Sequence, residues 1–301
     1  MKPLSQNIRV FYTSTTLSWG FTVRYKEVSA AQPSYILPPP TTIVGAFSYP
    51  LARMLGLADS LPERKAYKNG YLASKTMKAF LDSTLAASAG VAGEGGLVMH
   101  QEPSKIHASI YKGVSEADRI RAEPFTEKFY RDALTRIFPV QATGATYAPG
   151  VKLYMTWVLD VDKLSKNLRE NGVRVVEEDL DSAARQAVHG VTRVGSKEGI
   201  VAVDHGLTGY ERNPEIVSPG GKIRTIQYVP SECVDPEDKI PQVTLPYLDY
   251  SPRLFYIPSE SASNTFLKPY SIPTGKWLRV KHPCKAYAPR EFKEEFTSVG
   301  I

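Results

Sequence analysis

The hydrophobic pattern changes period several times along the chain, and each change predicts an element. Over residues 8–13, Ile8, Val10 and Tyr12 alternate with Arg9 and Phe11. This stretch is rich in β-branched and aromatic residues, which predicts a first strand. Beyond Pro38-Pro39-Pro40, the residues Ile43, Phe47, Leu51, Met54 and Leu55 recur at helical spacing and predict an apolar helix over 41–56. Proline holds the preceding residue extended, so the chain meets this helix at a fixed angle. Thr41 or Thr42 is suited to the N-cap, Pro50 to a kink and Gly56 to the stop. A helix also fits 74–88. The run GVAGEGG at 90–96 lacks the Gly-Lys-Ser/Thr ending of a P-loop and does not match the dinucleotide fingerprint, so it reads as a flexible loop. Short strands fit 97–99 and 106–111. A charged, partly helical stretch fits 115–138, and a turn-rich loop 141–150.

The second half opens on 151–160, VKLYMTWVLD, where β-formers run throughout and predict the clearest strand of the chain. Asp162 then caps a short helix with Leu164 and Leu168 inward and Gly172 at its end. A second helix, 178–188, turns Leu180, Ala184, Ala187 and Val188 inward. Residues 191–194 and 200–203 read as two arms of a hairpin around Gly195-Ser196-Lys197-Glu198-Gly199. Beyond about 206 the texture becomes loop-rich, with strands at 222–229, 254–257 and 276–280. No internal repeat stands out. The class is α+β, and the order strand, helix, strands, helix, strand is that of a split β-α-β unit.

Composition adds bounds. The chain has 301 residues, of which 42% are hydrophobic and 23% charged, ordinary for a globular protein. A net charge of +6 suits a polyanionic partner, although many basic proteins bind none. Two cysteines, Cys233 and Cys284, argue against a disulfide scaffold and suit a reducing compartment. The N-terminus has no long apolar run, and the most apolar stretch is interrupted by Pro50 and Arg53. The expectation is a cytosolic (cytoplasmic) protein without signal peptide or membrane association. The 23 prolines would suit a thermophile. The five histidines, 100, 107, 189, 205 and 282, form neither a spaced pair nor a Cys/His cluster, so no metal or other cofactor is expected.

Two stretches carry candidate chemistry. The start of the 41–56 helix offers unpaired amides and a partial positive charge, with Arg24 and Lys26 just upstream, as a phosphate contact would need. A well-capped core helix after a rigid loop explains the same residues. The second stretch is Arg193-Val194-Gly195-Ser196-Lys197-Glu198-Gly199. Its glycines leave backbone exposed, Arg193 and Lys197 can neutralise phosphates, and Ser196 can donate a hydrogen bond. An exposed, charged turn is the alternative. Ser196-Lys197 is not a nucleophile pair, because neighbours on a turn point apart and no oxyanion donor accompanies them. Trp19, Phe21 and Tyr25, interleaved with Arg24 and Lys26, could stack on bases or simply pack a half-buried strand. Arg119, Arg121, Lys128, Arg131 and Arg136 form either a solvated face or a nucleic-acid contact.

The extended Trp19-Gly20 segment followed by LPPPTTIVGAFSYPLA resembles the N-terminal signature of the Cas-five family of CRISPR-associated RAMP proteins, most like the archaeal type I-A form. The likeness spans about 8–57, continues over about 186–204, and fades elsewhere. It implies a ferredoxin-like (RRM/RAMP) domain over 1–205 with a long insertion at about 60–150, and a β-rich C-terminal region over 206–301. It also implies a non-catalytic, RNA-binding subunit of a type I surveillance complex (Cascade) in antiviral defence. Such a subunit holds the 5′ handle of the CRISPR guide RNA (crRNA) and caps the backbone filament. Its partners would be the guide RNA, the backbone, large and small subunits, and target DNA indirectly. Arg24, Lys26, Thr41, Thr42, Arg193, Ser196 and Lys197 would lie at or near the handle. An insertion within 101–150 would act as a thumb, although 115–138 reads as helical and longer than a simple hairpin. The alternatives are a metal-independent endoribonuclease that processes precursor guide RNA, and a structural assembly protein without specific RNA contact.

Overall fold

A computed structural model describes residues 7–25, 31–57, 64–66, 72–106, 140–196 and 198–300. Lys26, Lys197 and the 115–138 stretch with its five cations lie outside the described residues, as does the thumb expectation that rests on it. The chain begins with β1 (Ile8–Leu17), β2 (Gly20–Phe21) and β3 (Ala31–Gln32), then α1 (Pro40–Met54). A small ribbon, β4 (Arg64–Ala66) and β5 (Leu72–Ser74), leads into α2 (Lys75–Asp82). Next come β6 (Thr84–Ala92), β7 (Leu97–Ile106), β8 (Val140–Tyr147) and β9 (Lys152–Asp160). The helices α3 (Val161–Glu170) and α4 (Glu177–Ala187) precede the long strand β10 (Val201–Glu211).

The central sheet has the order β10-β1-β9-β6, and every neighbouring pair is antiparallel. Counting its strands by chain order gives fourth, first, third, second. The helix α1 lies between the first two strands in sequence, and α3 and α4 between the last two. Alternation along β1 sends Phe11 toward the helices, where its ring meets Trp157 at 4.7 Å and Phe47 of α1 at 6.2 Å. Phe80 of α2 closes this cluster edge-on to Trp157 at 5.7 Å. Burying each such ring stabilises the fold by about 1.5–3 kcal/mol. The strands β7 and β8, inserted between β6 and β9 in the chain, form a second sheet that β2 joins beside β8.

The chain's last third covers the other face of the central sheet. Phe296 packs on Tyr12 at 4.9 Å and on Tyr154 at 5.9 Å. Gln227 and Ser298 both hydrogen-bond Ser88 of β6, at 2.9 and 2.7 Å. Small residues on β6 make this approach possible. A Cβ at Gly90 would stand 2.5 Å from the Ile226 carbonyl oxygen. That is why TLAASAGVA, with little β-propensity of its own, is a strand here rather than the end of a helix and the start of a glycine-rich loop: packing on both sides overrides propensity.

Other expectations are also corrected. Residues 140–147 form strand β8 between β7 and the short β2, where a turn-rich loop was predicted. The N-cap of α1 is Pro39, not Thr41 or Thr42: Pro40 occupies the first turn, and the Thr42 and Ile43 amides both donate to the Pro39 carbonyl. Met54, expected on the apolar face, is exposed. Asp160, not Asp162, caps α3 by accepting from the Lys163 amide at 3.0 Å. The 191–203 hairpin reduces to a single bridge, Arg193 to Ile200, because Val201 onward pairs with β1 instead. Cys233 and Cys284 are joined, with Cα atoms 5.4 Å apart, inside a small core formed by Ile223, Val234, Leu278 and Val280. A single bridge is not a disulfide scaffold, but a reducing compartment would not favour it; the two cysteines lie 51 positions apart in sequence, and the strand pairing that brings them together cannot be read locally.

A buried ionic cluster ties α4 to both β1 and β10. Arg9, 2% exposed, donates to Asp181 at 2.9 Å, and Asp181 also receives Tyr210 and faces Arg212 at 3.0 Å. Burial pushes Asp181 up, but the hydrogen bonds from Arg9 and Tyr210 and the charges of Arg9 and Arg212 outweigh it. They hold the carboxyl below the usual carboxylate range.

Two predictions follow from these contacts. Replacing Cys233 with Ser releases a 51-residue loop in the unfolded chain and should cost up to about 4 kcal/mol by loop entropy. Urea unfolding should show it, and a reducing agent should bring the unaltered protein to the same midpoint. Asp181→Asn takes from Arg9 its buried anion, leaving only the half-exposed Glu177, and should cost about 3 kcal/mol at neutral pH. A lowered native pKa means that this stability is present above the unfolded value, near 4, and is lost as pH falls through the folded one. Urea titrations between pH 7 and 3 should therefore show a shallower pH dependence for the variant.

Candidate nucleic-acid interface

Helix α1 has two faces of different texture. Ile43, Val44, Phe47 and Leu51 are buried against the sheet. Thr42, Gly45, Ala46, Tyr49 and Arg53 recur at three- and four-residue spacing and form its outer face. A cleft of about 820 Å³ opens along that outer face. Its opposite walls come from Thr22 to Arg24, from Ser74 to Phe80 and from the 190–196 segment.

The 190–196 segment is held close by its small residues. A Cβ at Gly190 would meet Pro50 of α1 at 3.0 Å. Gly195 has φ +76° and would place a Cβ 2.5 Å from the Thr22 carbonyl oxygen, so this turn accepts only glycine without strain. The Ser196 amide donates to that same carbonyl at 3.0 Å, and the Trp19 indole donates to the Glu198 carbonyl at 2.7 Å. The loop is therefore pinned to the first strand region at two points.

Four of the seven residues singled out in the sequence, Arg24, Thr42, Arg193 and Ser196, line this one cleft. Thr41 is buried and does not line it. Arg24 and Arg193 are exposed, and neither has a carboxylate partner among the described residues. The Ser196 hydroxyl is enclosed and has no hydrogen-bond partner among them. The aromatic residues near Arg24 are used in packing. Phe21 is buried, Tyr25 stacks on Tyr35 at 3.9 Å, and Trp19 meets Tyr147 edge-on at 5.7 Å.

Two features escaped the sequence reading. Tyr49 lies on the cleft side of α1 and is 52% exposed, with the Arg53 and Arg193 guanidinium carbons 5.8 and 5.5 Å from its ring centre. The i, i+4 spacing of Tyr49 and Arg53 is a legible signal for half of this arrangement. The other half needs the fold. His189 and His205 also come together, with Nδ1 atoms 3.1 Å apart and rings 5.2 Å apart. No sequence spacing pairs a residue after α4 with one in β10. Among the described residues no three metal-ligating side chains cluster, and no helix is long and apolar enough to cross a membrane.

The pairing of a basic cleft with this N-terminal signature can be compared with known proteins. No family model matches the chain. Two curated proteins of Saccharolobus solfataricus align with it at 26% identity, each covering 70% of this chain and 68% of its own length. They are named CRISPR-associated protein Cas5 3 and CRISPR system aCascade subunit Cas5 1. The chain is a homologue of archaeal Cas5 proteins. Among solved structures, a CRISPR protein from Archaeoglobus fulgidus aligns over 97% of this chain and 98% of its own, at 16% identity and a TM-score of 0.49. The cleft of this Cas5 homologue is bare at Gly45, where a Cβ would meet nothing within 4 Å.

That bare position gives a direct test of the cleft geometry. Gly45→Ala should raise stability by about 0.5–1 kcal/mol, because an interior helical glycine is replaced without a clash. Thermal unfolding measures it, and a loss of stability would mean that the cleft wall is closer than 4 Å.

Proposed function

We propose that this chain is a subunit of a type I CRISPR surveillance complex and holds the 5′ handle of the guide RNA in the cleft between α1 and the 193–199 loop. The observation that carries the reading is the meeting of Arg24, Thr42, Arg193 and Ser196, from three distant segments, around one cavity. Cations without carboxylate partners, beside hydroxyls and exposed glycine backbone, suit phosphate and ribose contacts. The homology to Cas5 proteins supports the same reading. So does the antiparallel strand order fourth-first-third-second with its intervening helices, which fits a ferredoxin-like domain.

The C-terminal region lies over one face of the central sheet and the helices over the other. RNA would therefore be gripped at the edge of the domain and not on an open sheet. The protein works without a catalytic role in this reading, in the cytoplasm, alongside backbone, large and small subunits. Metal-independent cleavage of precursor guide RNA is the second reading, and the close His189–His205 pair is what favours it, since paired imidazoles can serve as general acid and base.

Binding of the full chain to a labelled guide RNA, with and without its 5′ handle, tests both readings when run in EDTA at several salt concentrations. Handle-dependent affinity that falls steeply with salt supports the first. Arg24→Gln and Arg193→Gln should each weaken binding and reduce the salt slope by about 1. Cleavage at one position, lost in His189→Ala, would replace it with the second. Equal affinity for both RNAs would remove the handle claim.

A further inference from the structure

The cleft explains how a phosphate backbone could be held, but it leaves Tyr49 without a task. Its ring is 52% exposed and so is open to a ligand. Its surroundings narrow what that is. Arg53 comes from the same helix one turn on, and Arg193 comes from the pinned loop, so two cations approach a single aromatic ring. Neither arginine has a carboxylate partner among the described residues. Toward the helix start, the surface beside Tyr49 is stripped to Ala46 and Gly45, with open space over the glycine. A flat group can therefore lie along α1 next to the ring, over the open space at Gly45. An apolar partner would not need two unpaired guanidiniums, and an inorganic anion would not need the ring. A planar, aromatic and anionic ligand uses both.

We propose that Tyr49 is a stacking platform for one unpaired nucleobase of single-stranded RNA, with Arg53 and Arg193 holding the phosphates on either side of that nucleotide. This rests on the reading of the cleft as an RNA grip and adds to it one position at which a base is held. Stacking uses the π face that every base shares, so the platform accepts any base and reads none. It fixes the register of the strand, because the phosphates flanking the stacked nucleotide are then set against Arg53 on one side and Arg193 on the other.

The test uses the full chain and a fluorescein-labelled guide RNA whose handle carries a single abasic nucleotide, moved one position at a time. Removing one particular base should weaken binding by about tenfold, and removing the others by much less. Tyr49→Ala should weaken binding to the intact RNA by a similar factor, and should show no additional loss with the RNA abasic at that one position. Tyr49→Phe should bind as the unaltered protein does, since the ring and not the hydroxyl carries the contact. Gly45→Leu, which fills the open space beside the ring without touching the core, should reproduce the loss. Melting temperatures no lower than that of the unaltered protein would separate binding from folding. If Tyr49→Ala binds the intact RNA as tightly as the unaltered protein, the platform is overturned while the grip stands. The same holds if its loss is the same at every abasic position. If the unaltered protein binds no RNA, the grip itself is overturned and the platform with it.

Discussion

The packing of Phe47 against Phe11 and Trp157 is the contact from which the rest of the molecule is set out. It fixes α1 on the central sheet in rotation as well as position. Once Phe47 points inward, the 3.6-residue repeat turns Gly45, Ala46 and Tyr49 toward the cleft and sets Arg53 beside Tyr49. The core and the interface are thus two faces of one helix. A change that repacks the core would rotate Tyr49 and Arg53 away from the loop opposite.

The loop opposite depends on a second constraint. Asp181 of α4 is held between Arg9 of β1 and Arg212 just after β10, so the middle of α4 is anchored to β1 and to the end of β10. Taking these charges out of water is expensive, and breaking one partner leaves the other uncompensated. The arrangement is a stiff one in consequence. It delivers Gly190 against Pro50 and Gly195 against Thr22, where the lack of a Cβ permits the close approach. Arg193 reaches Tyr49 only because both contacts hold.

The C-terminal third determines what the domain can do by covering it. Phe296, Ile226 and Tyr287 lie over the sheet face that the helices leave free, and the joined Cys233 and Cys284 stiffen the part that covers it. A sheet buried on both faces has no platform to offer, and the open cleft lies instead at the edge where α1, the first strand region and the 190–196 segment meet. The disulfide also alters what the cysteine content implies. A single bridge inside a small core adds loop-closure stability where little apolar volume is available, and such bridges persist in the cytosol of hyperthermophilic archaea.

Much of this was legible in the chain itself. Periodicity located β1, α1 and α4 to within a few residues, because burial there follows a local repeat, and β-propensity located β9, which is buried on both faces. The Pro38-Pro39-Pro40 run and the glycines of the 193–199 loop marked both walls of the cleft, since proline and glycine act on local backbone freedom whatever surrounds them. The strand over 84–92 was not legible, because its alanines, serine and glycine are chosen for what packs across them and not for β-propensity. Nor was the Cys233–Cys284 bridge, the His189–His205 pair or the meeting of Arg193 with Tyr49. Each joins residues that only strand pairing or helix packing brings within reach. The sequence by itself determined which elements form and which residues carry charge and hydroxyls toward solvent, because those follow from local sterics and from the period of burial. Only the tertiary structure decided which of them share a cleft, because that depends on where a few side chains without a Cβ let two backbones touch.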